Sequence, residues 1–295
     1  MRRPVLSTLA WVLVVYLYLP VITLVVFAFQ STSRLGLPWE GPSLRWFRLV
    51  FSDPQFQSAI GSSLRVGLAS SILAIIVATM AALAFSRYRL RYQTPLRLVA
   101  VLPITLPGLL VGLALLTYFS ALGLRPSLVT VFLAHLVFVL PYVLFVMSSA
   151  LERLDPAIEE AARDLGATAM QAFWRTTFPL IWPAVLGAGI LAFAMSFDEF
   201  LITLFVIGGD STLPVFIWSR MRRTIDPSIN AVATALLAIV FTGVLAALAL
   251  AVITGRRITG AGRSNPPPES DDTAGTVEAV AATPAGGQGP LRPSQ

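Results

Sequence analysis

Two side chains that most proteins use are missing from this chain of 295 residues, which has no cysteine and no lysine. The absence of cysteine excludes a disulfide framework, a cysteine metal site and a cysteine nucleophile. The phosphate-binding pattern G-x-x-x-x-G-K-[ST] is also absent, so the chain cannot hydrolyse ATP alone. Because His135 is the single histidine, most histidine chemistry is excluded as well.

Charge is scarce too, since 12% of the residues are charged, 56% are hydrophobic and the mean hydropathy is +0.78. A soluble domain is rarely more than half apolar, so this composition indicates a membrane protein. The 21 basic residues, all of them arginine, form short clusters that flank the apolar segments. Nucleic-acid binding would need a continuous basic face and is not expected.

Six apolar segments are long enough to cross a bilayer as helices, which takes roughly 20 residues each. They predict an all-α membrane domain over residues 1–257, with spans at about 5–29, 62–85, 98–121, 128–150, 183–207 and 230–254. The first segment is longer than the apolar part of a signal peptide, and no small-x-small cleavage site follows it, so we expect it to remain as an anchor. Arginine is more frequent in the loops on the side of the N-terminus, which favours cytoplasmic placement of both termini.

Two polar regions flank these spans. The stretch SLRWFRLVF at 43–51 predicts a short amphipathic helix at the outer interface, with Trp46 and Phe47 at the level of the headgroups. Residues 258–295 are rich in Pro, Gly, Ala and small polar residues. A segment of this composition cannot bury a core, so we predict a disordered cytoplasmic tail.

The loop between the fourth and fifth spans, residues 151–182, is too long for a simple connection. It opens with a predicted helix that Asp155 caps and Pro156 starts, and Gly166 follows where a left-handed C-cap residue is expected. An i,i+4 ion pair is predicted on one side of this helix, between Glu159 and Arg163. The opposite side is apolar and consists of Ile158, Ala161, Ala162 and Leu165.

A second helix is predicted to follow at once, because Thr168 and Gln171 fit a capping box. We expect Pro179 to end this helix. Its bulky apolar residues at i, i+3 and i+4 are Met170, Phe173 and Trp174. Helix rules alone leave two interpretations open: the helix pair docks these side chains into a partner's groove, or it lies against the membrane as an amphipathic cover.

The spacing within this loop resembles the EAA motif of ABC importer permeases, EAA-x3-G-x9-I-x-L-P. Thr176 and Phe178 replace the isoleucine and leucine of that pattern, whereas the residues in register with it are Glu160, Ala161, Ala162, Gly166 and Pro179. The resemblance implies a type I ABC importer permease fold, with six transmembrane helices and a cytoplasmic helix-turn-helix coupling loop, in the plasma membrane of a bacterium. It implies that the loop docks into a cleft on a cytoplasmic ATPase subunit through these residues and the apolar group Met170, Phe173 and Trp174.

The same resemblance implies the partners of the chain. They are a second permease subunit, two ATPase subunits, an extracytoplasmic substrate-binding protein and the lipid bilayer. ATP and Mg²⁺ would be held by the ATPase subunits, so no cofactor or metal is expected in this chain. The chain would then be a non-catalytic subunit that forms half of an import path.

Asp198 and Glu199 lie inside an apolar run, LAFAMSFDEFLITLF at 191–205. An acidic residue at bilayer depth costs roughly 2.5–3.5 kcal/mol on insertion scales and usually faces protein or water. We therefore expect the pair to line the substrate path, although neighbouring helical residues diverge by about 100° and cannot both face it. Two alternatives remain: either acid pairs with an arginine, or the pair lies near the outer interface.

The SFDEF stretch and the following TLPVFIWSRMR at 212–222 resemble the spermidine/putrescine branch of these permeases. An acidic pair suits a polycationic substrate, because a conducting path must offset its lost hydration. Ferric iron, thiamine and aminophosphonate carriers have similar sequences and stay alternatives. His135, in the fourth span, is expected to pack through hydrogen bonds rather than to relay protons.

Two other classes of protein are weighed against a permease subunit. A self-sufficient secondary transporter would need an ion site at the midplane and usually has broken helices, and six spans with one elaborate cytoplasmic loop fit it poorly. An intramembrane enzyme would need paired catalytic residues, and Asp198 with Glu199 lacks a histidine or serine partner in the sequence.

Overall fold

The computed structural model describes residues 2–260, apart from 34, 35, 37, 89, 90, 224 and 225. Every regular element in this part of the chain is helical, which confirms the all-α prediction. A π-helical turn at Phe173–Thr177 joins the eighth and ninth α-helices. In chain order the α-helices are α1 (Arg2–Ala28), α2 (Arg45–Phe51), α3 (Pro54–Arg87), α4 (Gln93–Thr105), α5 (Gly108–Ala121), α6 (Leu128–Glu152), α7 (Ala157–Asp164), α8 (Ala169–Ala172), α9 (Phe178–Asp198), α10 (Leu201–Val206), α11 (Leu213–Arg223) and α12 (Pro227–Gly260).

Among the described residues, four helical stretches are each long and apolar enough to cross a membrane. They are Ser7–Ala28, Pro54–Arg87, Leu128–Glu152 and Ala169–Asp198. They correspond to the first, second, fourth and fifth predicted spans. The helix α12 covers the sixth predicted span, and Pro227–Gly243 is a shorter apolar stretch at its start.

The third predicted span, 98–121, is not one straight helix. The chain bends by 111° between α4 and α5, so this segment is at most one broken span. Leu106, the residue that follows α4, has an extended backbone with φ −94° and ψ 138°, and Pro107 comes directly after it. A proline ring disfavours helical geometry at the residue before it and supplies no N–H, which is why the helix stops there.

The core around which the site is built consists of α3, α6 and α9. Alanines on α3 and α9 let the helix backbones approach closely, as small residues do between transmembrane helices. Gly189 of α9 extends this contact, because a Cβ atom there would lie 2.8 Å from Ile75 Cδ1 of α3. The buried residues at the centre are Ala74, Ala78 and Ala82 of α3, Val139, Val143 and Met147 of α6, and Ile181, Ala188 and Ala192 of α9.

The short helix predicted within 43–51 is present as α2, but Trp46 does not project to a membrane interface. Its side chain is buried, and its indole N–H donates a hydrogen bond of 2.7 Å to the carbonyl oxygen of Gln30 at the end of α1. Phe47 packs its ring against Phe29 at 5.0 Å. The expectation for Trp46 is therefore wrong, because a buried indole N–H needs a partner and finds one inside the protein.

An ion pair fastens α11 to the start of α3. Arg220 Nη1 lies 2.8 Å from Asp53 Oδ2, and Arg220 Nε donates to Ser228 Oγ at the start of α12. Asp53 also caps α3 by accepting from the Gln55 N–H at 2.8 Å. These bonds lie at the end of α3 opposite to Arg87.

The predicted domain boundary stays a prediction. The helix α12 continues to Gly260, so the first residues of the predicted tail 258–295 belong to it. Residues 261–295 lie outside the described residues.

Candidate functional site

The first helix of the 151–182 loop forms as the sequence predicts, one residue late. The helix α7 begins at Ala157, and Asp155 Oδ1 accepts the N–H of that residue at 2.9 Å. Arg163 Nη2 lies 3.2 Å from Glu159 Oε1, which confirms the i,i+4 pair. The polar sequence thus builds a helix whose start and side chains are locally satisfied.

Gly166 makes the turn between the two helices. Its φ is +89°, a left-handed conformation that glycine adopts without steric cost. The Gly166 N–H donates to the Arg163 carbonyl at 2.9 Å, and the Ala167 N–H donates to the Ala162 carbonyl at 3.1 Å. These bonds satisfy the last carbonyl groups of α7 and give the turn a defined direction.

The second helix begins as predicted but does not end where it was expected to. Thr168 and Gln171 form the reciprocal capping box, with bonds of 3.3 Å and 3.0 Å. The chain then passes through the π-helical turn into α9, and Ala169–Asp198 is a single candidate span. The prediction that Pro179 ends the helix is wrong. Pro179 lies in the first turn of α9, where a missing N–H is tolerated.

The motif residues lie mostly on the surface of the chain. Glu160, Ala161, Gly166 and Pro179 are exposed, and Ala162 is half-buried. The apolar residues beside them differ in accessibility: Leu165 is 90% exposed, Met170 66%, Trp174 54% and Ile158 46%, whereas Phe173 is half-buried against the core of α3, α6 and α9. The loop therefore presents apolar side chains outward from both of its helices.

A groove of about 580 Å³ runs beside the second helix. One wall is α3, and the other is the segment from Ala169 to Phe178. Its lining is mostly apolar, and its charged residues are Arg87, Glu159 and Arg163. The aromatic rings on the helix side are those of Phe173, Trp174 and Phe178, and the row of rings continues beyond the groove to Trp182, with centroids of successive rings 4.7–5.6 Å apart.

Glu159 has a role that the sequence pattern did not indicate. Besides Arg163, its carboxylate contacts Arg87 Nη2 at the end of α3, at 3.1 Å, and accepts a hydrogen bond from Thr177 Oγ1 at 3.4 Å. The i,i+4 rule found the partner on the same helix only. The bond to Arg87 depends on how two distant parts of the chain pack, and no local signal encodes it.

Asp198 and Glu199 lie at a break in the fifth predicted span. Asp198 is the last residue of α9, and Glu199 follows in extended backbone before α10 begins at Leu201. Glu199 is half-buried, and its Oε1 accepts the Ile202 N–H at 3.0 Å. The Asp198 side chain is exposed. The two acids thus differ in their surroundings: Glu199 accepts a hydrogen bond from the first turn of the next helix, and Asp198 is exposed.

His135 bridges this break from the neighbouring helix α6. The ring is buried, its Nδ1 lies 2.7 Å from Ser196 Oγ before the break, and its Nε2 lies 2.7 Å from Thr203 Oγ1 after it. Ser196 Oγ is also 2.9 Å from Ser70 Oγ of α3. This is the hydrogen-bonded packing role that the sequence favoured over proton relay.

Within the described ranges, no three His, Asp or Glu side chains are grouped so that they could hold a metal ion.

Comparison with known proteins agrees with the motif and the fold. The profile of the family "Binding-protein-dependent transport system inner membrane component" matches residues 70–260. The chain is 38% identical over 230 residues to the putrescine transport system permease protein PotI of Escherichia coli K12, covering 75% of this chain and 82% of the relative. It is 31% identical over 237 residues to the spermidine/putrescine permease PotC of the same strain, covering 80% and 89%.

A solved structure supports the same fold. A chain of a bacterial alginate ABC transporter, crystallised with a periplasmic protein bound to an alginate pentasaccharide, superposes with a TM-score of 0.65. The match covers 88% of this chain and 94% of the other, at 20% sequence identity. At that identity the likeness speaks for the fold alone. The all-helical architecture, the EAA-type loop and these relatives together show that the chain is an ABC importer permease of the binding-protein-dependent transport system inner membrane component family.

Proposed function

We propose that the 151–182 loop is the surface through which this permease binds a cytoplasmic ATPase subunit. The observation that carries the proposal is the outward placement of Leu165, Met170 and Trp174 beside two helices whose starts are held by Asp155 and Thr168. A chain that worked alone would not keep such side chains in water, so they need a groove on a partner. An amphipathic cover on the membrane would instead turn one common face of both helices to the lipid.

A movement of the bound ATPase would be passed directly to the transmembrane helices. The second helix of the loop continues through the π-helical turn into α9 as one uninterrupted helical stretch, Ala169–Asp198. The helix α9 in turn packs on α3 and α6. We infer that closure of an ATPase dimer, driven by ATP and Mg²⁺ bound there, rocks these helices and opens the path to the opposite side.

The remaining partners follow from this role. A second permease completes the path, and an extracytoplasmic binding protein delivers the substrate at the end of α3 that carries Asp53. Both termini would then be cytoplasmic and the direction of transport would be import. The arginine distribution supports this orientation.

Polyamines are the substrate class that we propose. The permeases PotI and PotC carry putrescine and spermidine in their names, and the acidic break gives a physical reason for a cationic cargo. Non-helical backbone at membrane depth occurs only where it is buried in protein or lines a water-filled cavity. An exposed Asp198 at such a break is suited to face a path shared with the second permease.

Uptake by the complete transporter tests this function. The complex would be purified through a tag on this chain, placed in proteoliposomes and supplied with ATP and the binding protein of the same system. Labelled putrescine or spermidine is expected to accumulate only with ATP. Unlabelled ferric iron, thiamine or aminophosphonate is expected not to compete. ATP-driven uptake of labelled ferric iron, thiamine or aminophosphonate, with no uptake of either polyamine, would contradict the substrate assignment and leave the permease role intact.

A further inference from the structure

We propose that Glu159 is a positioning residue that latches the coupling helix α7 to the end of α3. The inference rests on the proposed docking of the loop on an ATPase and goes beyond it. Docking explains what α7 touches outside the chain, and the latch explains how α7 is connected to the transmembrane helices inside it.

The contacts of Glu159 join three elements. One carboxylate oxygen lies 3.1 Å from Arg87 Nη2 of α3 and accepts the Thr177 hydroxyl of the π-helical turn at 3.4 Å. The other oxygen lies 3.2 Å from Arg163 Nη2 of α7 itself. The side chain of Glu159 is 13% exposed and that of Arg87 is 19% exposed. Salt screens such a pair less than it screens a pair in open solvent.

Glu160, the next residue, has different surroundings from Glu159. Glu160 is exposed and follows Glu159 by about 100° around the helix. Two consecutive acids therefore point to different surroundings: Glu160 faces a partner, and Glu159 faces the rest of this chain. The EAA pattern includes Glu160 and leaves Glu159 out.

The contact between Glu159 and Arg87 connects α7 directly to the core helix α3, so that a movement of α7 is passed to α3. The helix α3 packs along α6 and α9 through Ala74, Ala78 and Ala82, so a displacement of its Arg87 end moves a helix that contacts both. The second route runs from α8 through the π-helical turn into α9. Glu159 connects α7 both to α3 and to the π-helical turn that leads into α9, because its carboxylate contacts Arg87 and Thr177 at the same time. Without it, α7 could follow the ATPase while α3 stayed behind.

Alanine variants of the two partners test the latch, because alanine preserves the helices. In the reconstituted complex we expect Glu159→Ala and Arg87→Ala each to lower the substrate transported per ATP hydrolysed by at least about fivefold. The amount of ATPase that co-purifies with the chain should stay the same. The matched control is Arg97→Ala, because Arg97 pairs with Glu152 at 3.4 Å and the two side chains, 41% and 55% exposed, are more accessible than those of Arg87 and Glu159. Such exposed pairs contribute little, so its effect should be below about twofold.

The double variant Glu159→Ala/Arg87→Ala distinguishes a latch from two independent residues. A latch acts as one unit, so the double variant should be no worse than either single variant. Multiplied effects would overturn the proposal, as would an unchanged transport ratio or an equal loss in Arg97→Ala. A loss of bound ATPase that matches the loss of uptake would show Glu159 to be a docking residue instead. An unaltered chain that binds no ATPase would overturn the proposed function itself.

Discussion

ATP-driven uptake is expected to fall by at least about tenfold when Leu165 is replaced by aspartate. Leu165 is 90% exposed at the end of α7, beside the Gly166 turn. Full burial of a leucine side chain in a partner's pocket contributes about 2 kcal/mol, which corresponds to about thirtyfold in affinity. Aspartate would in addition place a charge in a desolvated contact. Because Leu165 touches little of its own chain, the fold should be unaffected.

Co-purification of the ATPase with the tagged chain measures the loss of ATPase binding that is expected to cause the fall in uptake. A matched control is Leu124→Asp, an exposed leucine in the connection that precedes α6, at the end of that helix opposite to the loop. Leu124→Asp is expected to retain the ATPase, and Leu165→Asp is expected to lose it. Glu160→Arg, at the exposed acid of the motif, should act as Leu165→Asp does. Equal retention by Leu165→Asp and Leu124→Asp would contradict the docking surface.

The second large effect is expected at Asp198. Replacing it by asparagine removes a negative charge but keeps its size, and we expect the KM for putrescine uptake to rise about tenfold with a smaller change in kcat. At an effective dielectric of about 20, two charges at about 4 Å attract by about 4 kcal/mol, part of which desolvation offsets. A tenfold change needs about 1.4 kcal/mol of this.

Two other acids serve as comparisons for Asp198→Asn. Asp210 is exposed in the connection before α11, outside the break, so Asp210→Asn should leave the KM unchanged. Glu199→Gln keeps the oxygen that accepts the Ile202 N–H, so we expect a smaller rise in KM than for Asp198→Asn. An unaltered KM in Asp198→Asn would remove this residue from the substrate path.

The local features of the coupling loop could be predicted from sequence because each depends on a few neighbouring residues. The Gly166 turn and the Thr168 capping box formed as expected, and Asp155 bonds to the start of α7, which begins one residue later than predicted. The end of the second helix could not be predicted in the same way. A π-helical turn places Pro179 in the first turn of α9, so the residue that usually stops a helix lies where it does no harm.

The partners in contacts between distant segments could not be predicted. The bond from Glu159 to Arg87 and the hydrogen bonds of His135 to Ser196 and Thr203 join parts of the chain that are far apart in sequence. The break after Asp198 contains neither proline nor glycine, so no breaker marks it. The bend between α4 and α5 does coincide with a breaker in the sequence, Pro107. The segment 98–121 is nevertheless apolar throughout, so hydropathy predicted one continuous span.

The absence of cysteine and lysine allows the most direct test of the account. A single Leu165→Cys variant would carry the chain's one thiol, and a thiol-to-amine cross-linker attached to it finds no lysine in the chain. Applied to the intact complex in membranes, the reagent is expected to join this chain to the ATPase subunit, with less product when nucleotide changes the docking geometry. Leu124→Cys should give no ATPase product. Cross-linking of the ATPase from Leu124→Cys but not from Leu165→Cys would contradict the claim that the 151–182 loop is the ATPase contact.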